Sequence, residues 1–328
     1  MSSSKNIIII GPVFFGYIKA IADHLGVSHN VRAISDIPFT HPFFRALFKF
    51  YFFQILLIPG YYYFLYYKGF FKSDCSIIFI SPSYVPSSFL KKISKNGCKT
   101  HLYLWDSLSN RKTLVPYLDH FDFVSSFDYL DVNRYDLNFL PLFSLFKGQM
   151  ISKKNDTDLF FCGTFHGDRY VYIKRFLDCM KSFSNFNFKY YIFFPSRFLF
   201  TLLFLVFKVP YRLFFNINFR PLPFHILSDL YSNSKCVLDL PSSSQSGLTM
   251  RSFEALSAGC YLVTSNKFVF NQLPEDFHNR VIFLNLKNLN SSLLSQIKVL
   301  PTLPPLSSGQ IYFLSLDRFC TSLIGVFK

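Results

Sequence analysis

Ser246-Gly-Leu-Thr-Met-Arg-Ser-Phe-Glu-Ala-Leu-Ser-Ala-Gly-Cys260 runs straight into Tyr261-Leu-Val-Thr264. The two pieces read as a helix leading into a strand. Arg251 and Glu254 stand three residues apart and so share one helix face. Two readings fit that spacing. The charges can simply pair on a capped helix, or they can serve two ends of one ligand, the guanidinium on phosphate oxygens and the carboxylate on sugar hydroxyls. Thr249 and the unpaired N–H groups of a first helical turn, with Gly247 and Leu248 before them, suit a phosphate. Ala255, Ser257, Ala258 and Gly259 are small enough for the helix to pack closely on a sheet.

Outward from this stretch, the same alternation fills the chain. Upstream, Lys235–Leu240 is a strand carrying Asp239, and Pro241-Ser-Ser-Ser-Gln-Ser246 is a loop. Strands are also read at Ile7–Ile10, Val31–Ile34, Ser76–Ile80, Thr100–Leu104, Phe123–Ser126, Phe139–Leu142, Asp158–Cys162, Phe188–Phe194, Cys260–Thr264 and Arg280–Leu284. Helical patterns separate most of them, which is the signature of a parallel α/β sheet. The polar segment 147–158 breaks the series, and a strand, glycine and helix restart after it. The expected fold is therefore α/β, with two Rossmann-like parallel-sheet domains facing across a cleft. Residues 1–150 form the first, with an aromatic helical insertion at about 40–71. Residues 151–328 form the second, with a closing helix at about 309–325. Ligands of such sheets sit beyond the carboxyl ends of the strands.

Three more strand ends carry candidate chemistry. Gly11-Pro-Val-Phe14-Phe-Gly16 could bring backbone close to a ligand, or be a tight turn; it matches neither a dinucleotide fingerprint nor a P-loop. Asp106 follows Trp105, the single tryptophan, at the end of Thr100–Leu104. It could act as a base or cap the next helix. Phe160-Phe-Cys-Gly163-Thr164-Phe-His166-Gly-Asp168-Arg169 offers small residues, a hydroxyl and a guanidinium for a diphosphate; His166 reads as a loop histidine. Asp156-Thr-Asp158 is read as solvated loop rather than a metal-binding pair.

The motif of the opening stretch, with Lys235-Cys-Val-Leu-Asp-Leu240 before it, resembles the donor segment of GT-B glycosyltransferases. It is most similar to the CgeB-like group and related bacterial polysaccharide and lipopolysaccharide biosynthesis proteins. Tyr103-Leu-Trp-Asp-Ser107, Phe139-Leu-Pro-Leu-Phe143 and Phe161-Cys-Gly-Thr-Phe-His-Gly-Asp-Arg169 extend the likeness into both halves, in matching order. The resemblance implies Glu254 on the donor ribose, and Arg251 with Thr249 on the diphosphate. It also puts Gly163 and Arg169 in the loop opening the second domain, Asp106 facing the cleft, and the closing helix returning to the first domain. Ser246 stands where many retaining members carry the earlier of two glutamates, which leaves the anomeric outcome open.

Bulk composition agrees with a chemistry of anions. The net charge of +15 favours nucleic acid, an acidic membrane or phosphorylated substrates. Basic residues are scattered rather than concentrated in a stripe, so nucleic acid is set aside. Seven dispersed cysteines without a Cys-x-x-Cys pair read as reduced, buried thiols in a cytoplasmic protein. Phe50–Tyr67 is uncharged and just long enough to span a bilayer, but Pro59-Gly60 interrupts it, and Phe198–Phe207 is too short. With Lys and Arg at their margins, both suit either ordinary core helices or helices lying at an acidic membrane surface. The expectation is a metal-independent glycosyltransferase, cytoplasmic and peripheral on the inner face of the membrane, without a cofactor. It would move a sugar from a nucleotide-diphosphate donor to a surface-polysaccharide or lipid-linked acceptor. Asp106 would be the base, with Arg251 and Arg169 stabilising charge. The rival readings are a catalytically silent nucleotide- or sugar-binding scaffold, a membrane-embedded protein, and an epimerase or phosphorylase of the same architecture.

Overall fold

The computed structural model describes residues 4–12, 16–39, 48, 51–71, 73–146, 156–165, 167–180, 185–197, 200–201, 217–242, 244–286 and 291–327. The chain divides into two compact units. The first comprises Met1–Leu142, Ser243–Gly247 and Leu316–Lys328; the second comprises Phe143–Ser242 and Leu248–Ser315. Each is built on a six-stranded, wholly parallel sheet.

In the first unit the strands are β1 (Asn6–Gly11), β2 (Asn30–Ser35), β3 (Ser76–Ile80), β4 (Lys99–Leu104), β5 (Phe123–Ser126) and β6 (Asn138–Phe139). They lie in the order β2-β1-β3-β4-β5-β6. Ile7–Ile10 and Ile77–Ile80 are unbroken apolar runs because both faces of a central parallel strand are covered. The edge strand β2, with Arg32, is half exposed. Helix Tyr17–Leu25 turns Ile18, Ile21 and Leu25 inward, and Ser87–Lys95 turns Phe89, Leu90 and Ile93 inward with its lysines outward, each an amphipathic stripe at helical spacing. Helix Tyr51–Tyr67 occupies the aromatic insertion and buries Ile58, Tyr62 and Leu65; Tyr62 lies 4.9 Å from the Phe89 ring.

In the second unit the strands are β7 (Thr157–Thr164), β8 (Phe188–Phe193), β9 (Ile217–Asn218), β10 (Ser234–Asp239), β11 (Tyr261–Thr264) and β12 (Val281–Phe283). Their order is β12-β11-β10-β7-β8-β9, the arrangement of a dinucleotide fold, with the direction of winding reversing between β7 and β10. Helix Met250–Ser257 joins β10 to β11 and buries its last six residues.

Several expectations are corrected. Asp158, read both as the start of a strand and as part of a solvated loop, is the former: it lies in β7, accepts from the Asn187 N–H at 2.8 Å and pairs with Lys298 at 3.0 Å. The closing segment is two helices, Ser308–Leu314 and Leu316–Gly325. Ser315 between them is extended because it forms a parallel bridge with Ser144, whose N–H reaches the Leu314 carbonyl. The second of these helices belongs to the first unit, where Asp317 meets His24 at 3.2 Å and the Tyr103 and Phe319 rings pack 5.1 Å apart. Strand β9 has no counterpart in the sequence reading, and β6 is shorter than Phe139–Leu142. Most of the run 198–207 and the segment 147–155 lie outside the described residues.

Candidate functional site

At the reversal between β7 and β10, Asp239 closes β10 fully buried. Its Oδ1 accepts from Arg251 Nη1 at 2.6 Å and its Oδ2 from Ser252 Oγ at 2.7 Å. Arg251 also donates from Nε to the Cys162 carbonyl of β7, and its guanidinium lies over the Phe161 ring, 5.1 Å from the centroid. Burial is the largest single influence and works against this charge, but Asp239, Tyr231 and Cys162 together overcome it and raise the Arg251 pKa. The first helical turn thus locks onto both central strands through one side chain. Gly163 permits this: a Cβ there would lie 2.8 Å from Arg251 Nη2 and 2.9 Å from Phe161.

Arg169, on helix Gly167–Met180, reaches the same strand ends. Its Nε donates to the Leu240 carbonyl at 2.7 Å and its Nη1 to the Thr164 carbonyl at 3.4 Å. Among the described residues it has no carboxylate partner. Burial, and then the like charge of Arg251, push its pKa down to about 10, with Asp239 opposing. Thr249 is the N-cap of helix Met250–Ser257, and its buried hydroxyl has no partner among the described residues. The first N–H groups of any helix lack intrahelical acceptors. Among the described residues, a guanidinium without a carboxylate partner stands at the ends of β7 and β10, and an unsatisfied hydroxyl caps the helix that follows β10; each suits an anion. Glu254, one helical turn on, is buried and accepts from Tyr231 Oη at 3.3 Å. The Tyr231 phenol is raised well above its usual pKa by burial and by Glu254.

The two charges of the opening stretch thus serve separate neighbours, Arg251 pairing with Asp239 and Glu254 accepting from Tyr231. Leu248 is buried and its N–H is taken by Gln272 Oε1 at 3.1 Å. His166 and the side chain of Asp168 lie outside the described residues.

Gly247 belongs to the first unit, as does Ser246. Both donate backbone N–H groups to Asp128 Oδ2, at 3.1 and 2.8 Å, and Ser246 Oγ donates to Asp128 Oδ1. A Cβ on Gly247 would strike Phe127 at 2.6 Å. Asp128 also caps helix Tyr129–Tyr135 and accepts from Ser107 Oγ. Burial alone would raise its pKa, but the hydrogen bonds from Ser107, Ser246 and Gly247 win and lower it. Sequence reasoning missed this hub, although an aspartate between a strand and a helix is itself an N-cap signal.

The other first-unit residues line the carboxyl ends of β1, β3 and β4. A Cβ on Gly11 would lie 2.8 Å from the Ile80 carbonyl oxygen, so no side chain fits there, and Gly16 opens helix Tyr17–Leu25 at φ 72°. Phe14 lies outside the described residues. The Asp106 side chain is 53% exposed and pairs with Arg111 Nε at 3.3 Å. It caps no helix; the 3-10 helix Lys112–His120 begins after Arg111. Ser81 Oγ accepts from the N–H groups of Trp105 and Asp106, fixing the loop. Trp105 is flanked by Tyr17 and Tyr103, at 5.6 and 5.9 Å between centroids. Among the described residues no three His, Cys, Asp or Glu side chains are grouped to hold a metal ion.

No protein-family pattern matches the sequence, and no curated protein matches it. Solved structures do share its fold. One is a UDP-forming α,α-trehalose-phosphate synthase from Burkholderia xenovorans, with TM-score 0.59 and 11% identity, covering 98% of each chain. Another is a glycosyltransferase from Rickettsia africae ESF-5, with TM-score 0.60 and 9% identity, covering 99% of this chain and 98% of that one. A third is S. aureus MnaA in complex with UDP, with TM-score 0.51 and 8% identity, covering 99% and 97%. At such identities the likeness is one of fold: two Rossmann-like parallel-sheet units of the GT-B kind.

Proposed function

We propose that this chain is a glycosyltransferase of the bacterial polysaccharide-biosynthesis kind its motifs resemble, the CgeB-like group included. It takes a sugar from a nucleotide-diphosphate donor to a surface-polysaccharide or lipid-linked acceptor, works without a metal, and acts at the inner face of the cytoplasmic membrane. One observation carries the reading: Arg169 pairs with no carboxylate among the described residues at the ends of β7 and β10, and the hydroxyl of Thr249, N-cap of the helix that follows β10, is unpartnered among them. A donor diphosphate supplies the missing counter-charge. Among the similar folds, one protein forms UDP and another holds it, which fits a nucleotide donor.

In the reaction the acceptor oxygen bonds to the anomeric carbon as the bond from that carbon to the diphosphate breaks. The electron pair leaves on the nucleoside diphosphate, and the acceptor proton passes to a base, for which Asp106 is our assignment. Arg169 and the first turn of helix Met250–Ser257 stabilise the departing charge. Arg251 acts alongside them while its Asp239 pair fixes its place. Glu254 takes the ribose hydroxyls in exchange for its Tyr231 contact.

The test is a thermal-shift panel of nucleotides and nucleotide sugars on wild type, Arg169→Ala and Glu254→Ala. A ligand at a hundred times its Kd adds about 2.7 kcal/mol, and both variants should lose that response. If no nucleotide stabilises the wild type, the donor reading is wrong. A second reading, a silent nucleotide-binding scaffold, is favoured by Ser246, whose hydroxyl is committed to Asp128. Nucleotide binding with no turnover of any donor would select it.

A further inference from the structure

Helix Tyr51–Tyr67 is apolar on all sides, yet only one side is covered. Ile58, Tyr62 and Leu65 enter the core of the first unit. On the opposite side Phe52, Leu56, Phe64 and Tyr67 are 69, 60, 56 and 75% exposed, with Ile55 and Leu57 beside them. At 100° per residue Phe52, Leu56, Phe64 and Tyr67 fall on one continuous stripe. Scattered apolar residues on a surface mean nothing, but a contiguous aromatic stripe marks something that binds there.

Among the described residues the charges set against the rings beside the stripe are cationic, while Asp36 acts on Tyr61 and Tyr62 towards the core. Lys92, from helix Ser87–Lys95, sits over the rings of Tyr63, Tyr66 and Tyr67 at 5.4, 4.5 and 4.7 Å and donates to Tyr67 Oη at 3.2 Å. Lys68 lies 5.6 Å from the centroid of Phe64. Neither helix contains an aspartate or glutamate. We infer that this face lies on an anionic phospholipid surface, the aromatic stripe among the headgroups and acyl ends and the lysines on the lipid phosphates.

Other occupants fit less well. A second copy packed two-fold on the same stripe would set Lys68 and Lys92 against their own duplicates, in a chain of net charge +15. A bilayer span would require Ile58, Tyr62 and Leu65 to leave their core, and Pro59 interrupts the helix. Among the described residues no helix is long and apolar enough to cross a membrane. A helix lying in the interface needs a one-sided apolar face with cationic margins and tyrosines near the headgroups, and those are present.

The inference rests on the proposed function only for the membrane location, so lipid binding is read without any donor or turnover. Full-length protein is sedimented with vesicles of phosphatidylcholine alone and of phosphatidylcholine with phosphatidylglycerol. Wild type should bind the anionic vesicles, weakly or not at all the neutral ones, and release in high salt. Each of Lys68→Ala and Lys92→Ala should weaken binding about five-fold, from ~1 kcal/mol per surface lysine. Phe52→Ser with Leu56→Ser, at exposed positions, should weaken it more than about tenfold. Equal binding to neutral vesicles, no binding by wild type, or unchanged affinity in both sets of variants overturns the inference. So does a concentration-dependent dimer that the serine pair dissolves while vesicles fail to bind, which assigns the face to a second copy. Nucleotide thermal shifts on the same preparations separate the two claims: failure on vesicles with a retained shift refutes the docking face alone.

Discussion

Two buried groups in the first unit should titrate against each other between pH 4 and pH 6.5. His101, on β4, is fully buried, with Nδ1 at 3.0 Å from the Leu323 carbonyl and Nε2 at 2.8 Å from Ser125 Oγ. A carbonyl can only accept, so Nδ1 carries the proton and Nε2 accepts from the serine. Burial lowers the imidazole pKa from 6.5 to about 4, the Leu323 hydrogen bond opposing. The unfolded chain therefore takes up a proton before the folded one does. This contribution to stability is whole above pH 6.5 and is lost as pH falls towards 4, by about 3 kcal/mol at ~1.4 kcal/mol per pKa unit. Asp131 runs the other way. It is buried, accepts from the Leu108 N–H at 2.6 Å, and is raised from 3.8 to about 6 by burial and then by Asp128. Its contribution is present below pH 3.8 and lost as pH rises through 6, again by about 3 kcal/mol. In wild type the two nearly cancel. Asp131→Asn keeps an acceptor for Leu108 and should expose the histidine, so that stability falls by about 3 kcal/mol relative to wild type from pH 6.5 to 4. His101→Gln should show the opposite slope. Trp105, the only tryptophan, lies in the first unit, so urea unfolding followed by its fluorescence reports that unit. Comparing each variant with wild type cancels the other titrating groups. If the Asp131→Asn curve runs parallel to wild type across the window, the opposing-pair argument fails.

Further outcomes are expected. Gly163→Ala forces a methyl against Arg251 and Phe161; it should cost about 1–3 kcal/mol in urea unfolding and abolish the nucleotide-induced thermal shift. Asp239→Ala leaves Arg251 and Ser252 without their acceptor and should cost about 3–5 kcal/mol, whereas Asp106→Ala, at an exposed side chain, should leave the unfolding midpoint unchanged and remove turnover. The thiols of Cys75 and Cys98 lie 2.9 Å apart at the entries of β3 and β4. A diazene oxidant such as diamide should take two electrons and two protons from them and leave a disulfide. Peptide mapping without reductant checks that link, and recovery of both cysteines as alkylated free thiols would count against it.

The sheets were legible in the sequence because central parallel strands are apolar runs: Ile7–Ile10 and Ser76–Ile80 admit little else. Length and charge were the weaker signals. Asp158 looked like solvated loop because its partner, Lys298, is 140 residues away, and no local pattern announces such a pairing. Asn138–Phe139 and Ile217–Asn218 are two-residue strands at sheet edges, too short for alternation to register. The break at Ser315 is likewise tertiary, set by the bridge to Ser144. At the site, Arg251 and Glu254 could be picked out by spacing and Gly163 by its place at a strand end. Asp239 as the partner of Arg251 was visible only as a strand-final aspartate, and Tyr231 as the partner of Glu254 was not visible at all.

Ser246 shows most clearly how a position can be located by pattern and explained only by geometry. In the sequence it stands out only through the resemblance to retaining GT-B enzymes, many of which carry a glutamate at the matching position. In the structure its hydroxyl and its N–H are both spent on Asp128, and its oxygen accepts from Leu130 N–H at 2.8 Å. A glutamate here would put a second carboxylate against Asp128, whose lowered pKa depends on the donors that serine and its neighbours supply. Like charges at that range cannot both stay ionised in a buried site. The serine is therefore the residue this anchor requires. Asp128 holds the loop at Ser246 and Gly247, and Asp239 holds the following helix at Arg251. Between Gly247 and Arg251 in the chain lie Leu248, whose N–H is taken by Gln272, Thr249, whose hydroxyl is left open among the described residues, and Met250. Ser246→Glu should consequently lower the Trp105-reported stability of the first unit without restoring a catalytic carboxylate, and Ser246→Ala should lower it less. A variant with glutamate at 246 that folds as stably as wild type would mean that Asp128 is not the anchor its hydrogen-bond donors make it.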